Sequence, residues 1–174
     1  MPNATRNLDG YNSPPIEWDA VEQQLKTNVP QAPGTGGPSR HTAWLTTIGA
    51  SGVPHVRPLG VVSVDGVWYF NSSAETRKSR NLAHDGRCVL CLATDPFDLV
   101  LEGTATRVTG GPELDAVATA LADDWPCEVD GDALTAEFSA PSGGKPPYYV
   151  FRMDPTTVYA FGTREPYGAT RYDL

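Results

Sequence analysis

From residue 41 onward the chain is a succession of short β-type runs separated by tight turns, and this pattern restricts the fold more than any other feature. Ala43 to Gly49 has strand character and meets the turn Ala50-Ser-Gly-Val53. A second strand is expected from Pro54 to Val64. Asp65-Gly66, flanked by apolar residues, is a two-residue hairpin signal, and Val67 to Asn71 is its return strand. Arg87 to Ala93 and Asp98 to Val108 add two more strands. Tyr148 to Met153 and Thr157 to Phe161 close the series, with Asp154-Pro155 expected to separate them. Helices are expected at Thr76 to His84 and after Gly110-Gly111-Pro112, where Leu114, Val117, Ala118 and Leu121 recur at helical spacing. Strands do not alternate regularly with helices, which disfavours a doubly wound parallel sheet. The pattern predicts a mainly β antiparallel barrel with flanking helices.

Around that core, residues 1–15 are polar and read as a flexible arm. Ile16 to Thr27 is a short helix, with Ile16, Val21 and Leu25 roughly on one side. Pro30 to Ser39 is a Gly/Pro-rich loop. Residues 126–146 are irregular and acidic, with a short helix near Leu134 to Phe138, and a polar tail ends at Leu174. One domain is expected over 16–174, with its barrel at about 41–162. Thirteen Lys and Arg against 21 Asp and Glu give a formal charge of −8, so no basic stripe is available to coat a nucleic acid. No apolar run approaches the ~20 residues that cross a bilayer, and no apolar segment follows the N-terminus. With three cysteines, two of them in one apolar run, a disulfide framework is not expected. A cytoplasmic protein without membrane or nucleic-acid partners is the expectation.

Chemistry concentrates in the stretch from Tyr69 to Leu82. A strand ends there in Asn71, Ser72 and Ser73 and runs into a helix whose first turn holds Thr76, Arg77 and Lys78. A helix N-terminus presents unpaired N–H groups and a positive dipole end, so two adjacent cations are unwelcome unless an anion joins them. A phosphate fits; a plain solvated helix face is the competing reading. Strand alternation sets Arg57 on the side of His55 and Ser63, opposite Val56, Val62 and Val64. With the Val side inward, Arg57 points out toward a ligand, a partner subunit or solvent. Cys88 and Cys91 fall on opposite sides of one strand and read as core thiols. The three histidines lack metal spacing, and nucleophile-elbow, P-loop and dinucleotide-binding motifs are absent. Asp123-Asp124 reads as solvated surface, and Trp18, Trp44, Trp68 and Trp125 as packing residues.

Three segments together carry a family resemblance. They are Trp44-Leu-Thr-Thr-Ile-Gly-Ala-Ser-Gly-Val-Pro-His-Val-Arg-Pro58, Val64-Asp-Gly-Val-Trp-Tyr-Phe70 and Thr76-Arg-Lys-Ser-Arg-Asn-Leu82. With Leu101-Glu-Gly-Thr-Ala105 and Thr170-Arg-Tyr172, they resemble the pyridoxamine 5'-phosphate oxidase-like split-barrel family. The resemblance implies a six-stranded Greek-key split barrel, a homodimer, and a flavin-like cofactor in a groove between subunits. Carried over by position, Arg57 faces the cofactor, Asn71 and Ser72 contact it, and Thr76, Arg77 and Lys78 clamp its phosphate. Asp98 falls where relatives place an amide near the ring, and Arg171 matches a basic residue that reaches the neighbouring subunit's site. The Lys that true oxidases of the family carry after the strand Arg is replaced here by Val61 or Val62, which argues against vitamin B6 synthesis.

The resemblance leaves two cofactors, coenzyme F420 and FMN, which share a tricyclic ring and a phosphate. Ten of the basic residues are Arg and three are Lys, a composition compatible with a GC-rich, deazaflavin-using source. The implied activity is hydride transfer between coenzyme F420 or FMN and a small conjugated organic substrate, with solvent or Tyr172 as proton donor. A non-catalytic flavin- or haem-binding protein, a pyridoxamine 5'-phosphate oxidase proper and a barrel with no ligand are the alternatives.

Overall fold

A computed structural model describes residues 1–27, 41–122, 124–140 and 142–174. The loop expected over Pro30 to Ser39 lies outside the described residues. The architecture is organised around one strand, β10 (Tyr148–Gly162), the longest in the fold. One of its edges pairs antiparallel with β7 (Phe97–Val108) along nearly its whole length. The other edge is shared. Tyr148–Arg152 pair with β5 (Val67–Ser73), and Thr157–Phe161 pair with β11 (Ala169–Asp173). The sheet therefore divides along β10, which is the split of the barrel. β6 (Arg87–Ala93) joins β7, β2 (Ala43–Ile48) joins β6, and β3 (Pro54–Pro58) ends that side of the sheet. β4 (Val61–Val64) pairs only with β5. The fold is a mainly β, antiparallel split barrel, as expected.

Several boundaries differ from expectation, each for a local physical reason. The strand predicted over 54–64 is two strands, because Pro58 offers no N–H and the chain turns at Leu59-Gly60 to change partner from β2 to β5. The two strands predicted at 148–161 are one. A register shift between Pro155 and Thr157 absorbs the proline as a bulge. That bulge needs Gly103 opposite, since a Cβ there would collide with the Asp154 carbonyl oxygen and lie 2.8 Å from Pro155 Cα. The tail is β11 rather than a polar end: Thr170 and Tyr172 are fully buried. The Tyr172 hydroxyl donates to the Ile16 carbonyl at 2.6 Å, and its ring packs on Trp18 at 5.0 Å. Residues 4–7 of the expected flexible arm form β1 (Ala4–Asn7), which pairs with β11. The helix expected near Leu134 is instead a hairpin of β8 (Glu128–Asp130) and β9 (Ala133–Thr135), turning at Gly131 with φ 59°.

The Asp65-Gly66 hairpin forms as expected. Both residues have positive φ, 51° and 82°, the requirement of a type I′ turn. Helix α1 (Trp18–Leu25) caps one end of the main core through Val21 and Leu25. That core holds Leu45, Leu90, Leu99, Leu101, Met153 and the stacked pair Phe70 and Phe151. A second core lies under helix α3 (Gly111–Leu121), where Leu114 and Val117 pack with Val62, Tyr69, Tyr148 and Val150. Helix α2 (Arg77–His84) rests on β2, tied by the Asn81 amide donating to Thr47 Oγ1 at 2.9 Å. Among the described residues no helix is long and apolar enough to cross a membrane, and no cluster of His, Cys, Asp or Glu could hold a metal ion.

Candidate functional site

The end of β5 and the start of α2 are joined by hydroxyl groups. Ser72 Oγ and Thr76 Oγ1 lie 2.5 Å apart, and Thr76, the helix N-cap, accepts from the Ser79 backbone N–H at 3.3 Å. Ser79 Oγ donates to the Ser73 carbonyl at 2.8 Å. These bonds hold the first turn of α2 in one position. The loop before β10 closes over it: a Cβ on Gly144 would lie 2.8 Å from the Ser73 side chain, and Gly144 has φ 81°.

Beside this turn is a cavity of about 590 Å³, whose lining includes Arg57, Asn71, Ser72 and Lys78. A cavity of that size suits a cofactor- or drug-sized ligand. Arg57 reaches it by a different route from the one alternation suggested. Arg57 is paired with buried Leu45, whereas Val56 is paired with Thr46 and is 51% exposed. Paired residues share a face, so Val56 points outward and Arg57 faces the cavity side. The rule failed because it was carried across the break at Leu59-Gly60, beyond which Val62 is indeed buried.

The site is cationic and unbalanced. Among the described residues no carboxylate forms an ion pair with Arg57, Arg77 or Lys78. Burial, and then the Arg57 guanidinium, push the Lys78 ammonium below its usual pKa. His55 is held below its usual value by burial, then by Arg77 and Arg57. His41 also lines the cavity, and its Nδ1 is buried without a hydrogen-bond partner among the described residues. Two unpaired cations, a hydroxyl-rich helix start and an orphaned ring nitrogen fit an anionic, phosphate-bearing group.

Of the expected site residues, the structure brings Arg57, Asn71, Ser72 and Lys78 to the cavity wall, with Thr76 just behind Ser72. Arg77 is exposed at the helix start and does not line the cavity. Asp98 and Arg171 do not line it either. Both lie on the outer face of the sheet, where Arg171 sits over the Tyr159 ring and bonds Asp173. Tyr172, the suggested proton donor, is sealed in the core. The rest of the cavity lining was missed by sequence reasoning. It includes Ala120, Leu121, Asp124 and Trp125 at and after the end of α3, Ser139, Ala140, Ser142 and Gly143, and Tyr148. Cys88 is buried and Cys91 half-buried, on opposite sides of β6, and both are free thiols.

Comparison with known proteins agrees with this fold. The family model for pyridoxamine 5'-phosphate oxidase matches residues 36–162. A search of curated proteins found no match. Solved structures share the fold at low identity. A conserved hypothetical protein from Mycobacterium tuberculosis superposes with TM-score 0.53 at 17% identity, covering 95% of this chain and 89% of that one. A pyridoxamine 5'-phosphate oxidase-related, FMN binding protein from Nostoc punctiforme gives 0.53 at 13%, covering 75% and 79%. A heme binding protein from Mycobacterium smegmatis gives 0.54 at 20%, covering 76% and 53%. With a split barrel, a cationic cavity at the β5–α2 junction and a family match over most of its length, the chain belongs to the pyridoxamine 5'-phosphate oxidase family.

Proposed function

We propose that the protein is an oxidoreductase that uses coenzyme F420 or FMN to transfer a hydride to or from a small conjugated organic substrate. The observation that carries this reading is the pair of unpaired cations, Arg57 and Lys78, facing a cavity at the hydroxyl-lined start of α2. When bound, the tricyclic ring of either cofactor supplies the redox chemistry. The chain's own residues bind and orient. Arg57 and Lys78 neutralise the phosphate, Ser72 and the Asn71 amide offer hydrogen bonds, and Thr76 keeps the helix start in place.

A homodimer with the cofactor at the subunit interface is part of the proposal. Its support is a row of half-buried residues across the outer face of the sheet, Trp44, Cys91, Val100, Tyr159 and Arg171, aligned by strand register. Asp98 and Phe161 lie in the next row of that face. A second subunit covering this face would bring Asp98 and Arg171 to its partner's cofactor. With Tyr172 buried, solvent is the proton source.

The test is fluorescence titration of the purified protein with FMN and with coenzyme F420, followed by stopped-flow oxidation of the reduced complex by a panel of acceptors. Submicromolar binding of one cofactor with acceptor-dependent oxidation supports the proposal. Binding without turnover would leave a flavin carrier. No binding of either would refute it.

A further inference from the structure

The part of the cavity lining that follows α3 has its own chemistry. α3 is fixed at its start, where Glu113 accepts from the Tyr69 hydroxyl at 3.0 Å and from Arg152 at 3.3 Å. At its end the Trp125 N–H donates to the Leu121 carbonyl at 2.8 Å. The Trp125 indole N–H is spent on the Phe138 carbonyl at 2.7 Å, and the Tyr148 hydroxyl on the Gly144 carbonyl at 3.1 Å. The two rings meet edge to face, 5.1 Å apart at 84°. Their polar atoms are thus used up on the backbone, and what they offer the cavity is ring surface. Trp125 is half-buried, whereas Tyr148 behind it is buried. An edge-to-face pair covers the face of only one of its rings. Beside Trp125, exposed Asp124 lines the same cavity and forms no ion pair with Arg57 or Lys78 among the described residues.

We infer that Trp125, backed by Tyr148, is the wall on which a planar aromatic substrate stacks within the subunit that binds the cofactor phosphate, and that Asp124 selects neutral or cationic substrates over anionic ones. The inference rests on the cofactor reading of the cationic pole. That pole is the only place among the lining residues where an anion finds positive charge, and the cofactor phosphate takes it. A substrate packed against Trp125 meets aromatic and aliphatic carbon, with Asp124 beside it. A rigid ring loses little entropy on binding there because the wall is preorganised by its backbone bonds.

The experiment measures binding by calorimetry to the cofactor-loaded protein. The probes are menadione, a neutral planar quinone, and 1,4-naphthoquinone-2-sulfonate, its anionic counterpart. Trp125→Ala should weaken menadione binding about tenfold, the loss expected for a stacked ring, while cofactor affinity stays within twofold. Asp124→Asn, at an exposed position with little folding risk, should strengthen sulfonate binding severalfold and leave menadione unchanged. If the Ala variant melts early, Trp125→Leu repeats the test with the volume filled and the aromatic face removed. Unchanged menadione affinity, or no menadione binding to the native protein, overturns the inference. So does an equal loss of cofactor affinity, which would make the wall part of the cofactor's own site. If neither cofactor binds, the functional reading fails, and the menadione series on the cofactor-free protein still decides the role of Trp125.

Discussion

Lys78 brings an ammonium into a half-buried position beside Arg57, and no described carboxylate offsets either charge. In the absence of a bound anion this arrangement costs stability, and with one it provides affinity. Lys78→Met should therefore leave the melting temperature of the cofactor-free protein unchanged or raised, while weakening cofactor binding at least tenfold by fluorescence titration. Because burial and Arg57 lower its pKa, Lys78 loses its proton at a pH below the usual lysine value of 10.5. Cofactor affinity should fall as pH rises through that lowered value. Lys78→Arg, which keeps its charge, should hold affinity to higher pH, and titrations from pH 7 to 10 will decide. At this scale Lys78 was legible in the sequence because it stands at a helix start beside Arg77, an arrangement that an anion would relieve, although only Lys78 of the two lines the cavity. Trp125 was not. Nothing local distinguishes an indole that packs in a core from one that lines a cavity.

The junction of β5 and α2 is the element on which the site depends. Thr76→Ala removes the cap on the Ser79 N–H and the hydroxyl partner of Ser72, and should cost about 1 kcal/mol in urea unfolding, with Thr76→Ser close to native. The bulge in β10 makes a different demand. Gly103→Ala forces a methyl group into the Asp154–Pro155 backbone and should destabilise the protein by about 3 kcal/mol, measured by denaturant midpoint. Both outcomes follow from backbone geometry. Strands with regular alternation and a defined turn, such as β2, β6 and the Asp65-Gly66 hairpin, could be located from sequence because the signal is local. The division at Pro58 to Gly60 and the continuity across Pro155 could not. A proline breaks a strand or bulges it according to which strand lies alongside, and that is a tertiary matter.

For the whole molecule, the row of half-buried residues across the outer sheet face makes oligomeric state the sharpest observable. Sedimentation should give a dimer for the native protein. Val100→Glu, which buries a charge if a partner covers that face, should give a monomer with reduced cofactor affinity. A native monomer would remove Asp98 and Arg171 from the site. The short β-type runs and tight turns already specify a mainly β antiparallel barrel, and the cationic helix start already marks where an anion could bind, because strand character, turn chemistry and charge act over a few residues. Other features were decided only by the folded chain. Arg57 turned toward the cavity, the polar tail became strand β11 with Tyr172 buried, and the chain after α3 brought Trp125 and Asp124 to the cavity that Lys78 lines. These placements depend on contacts between residues far apart in sequence, where register and packing, rather than local preference, set which way a side chain points.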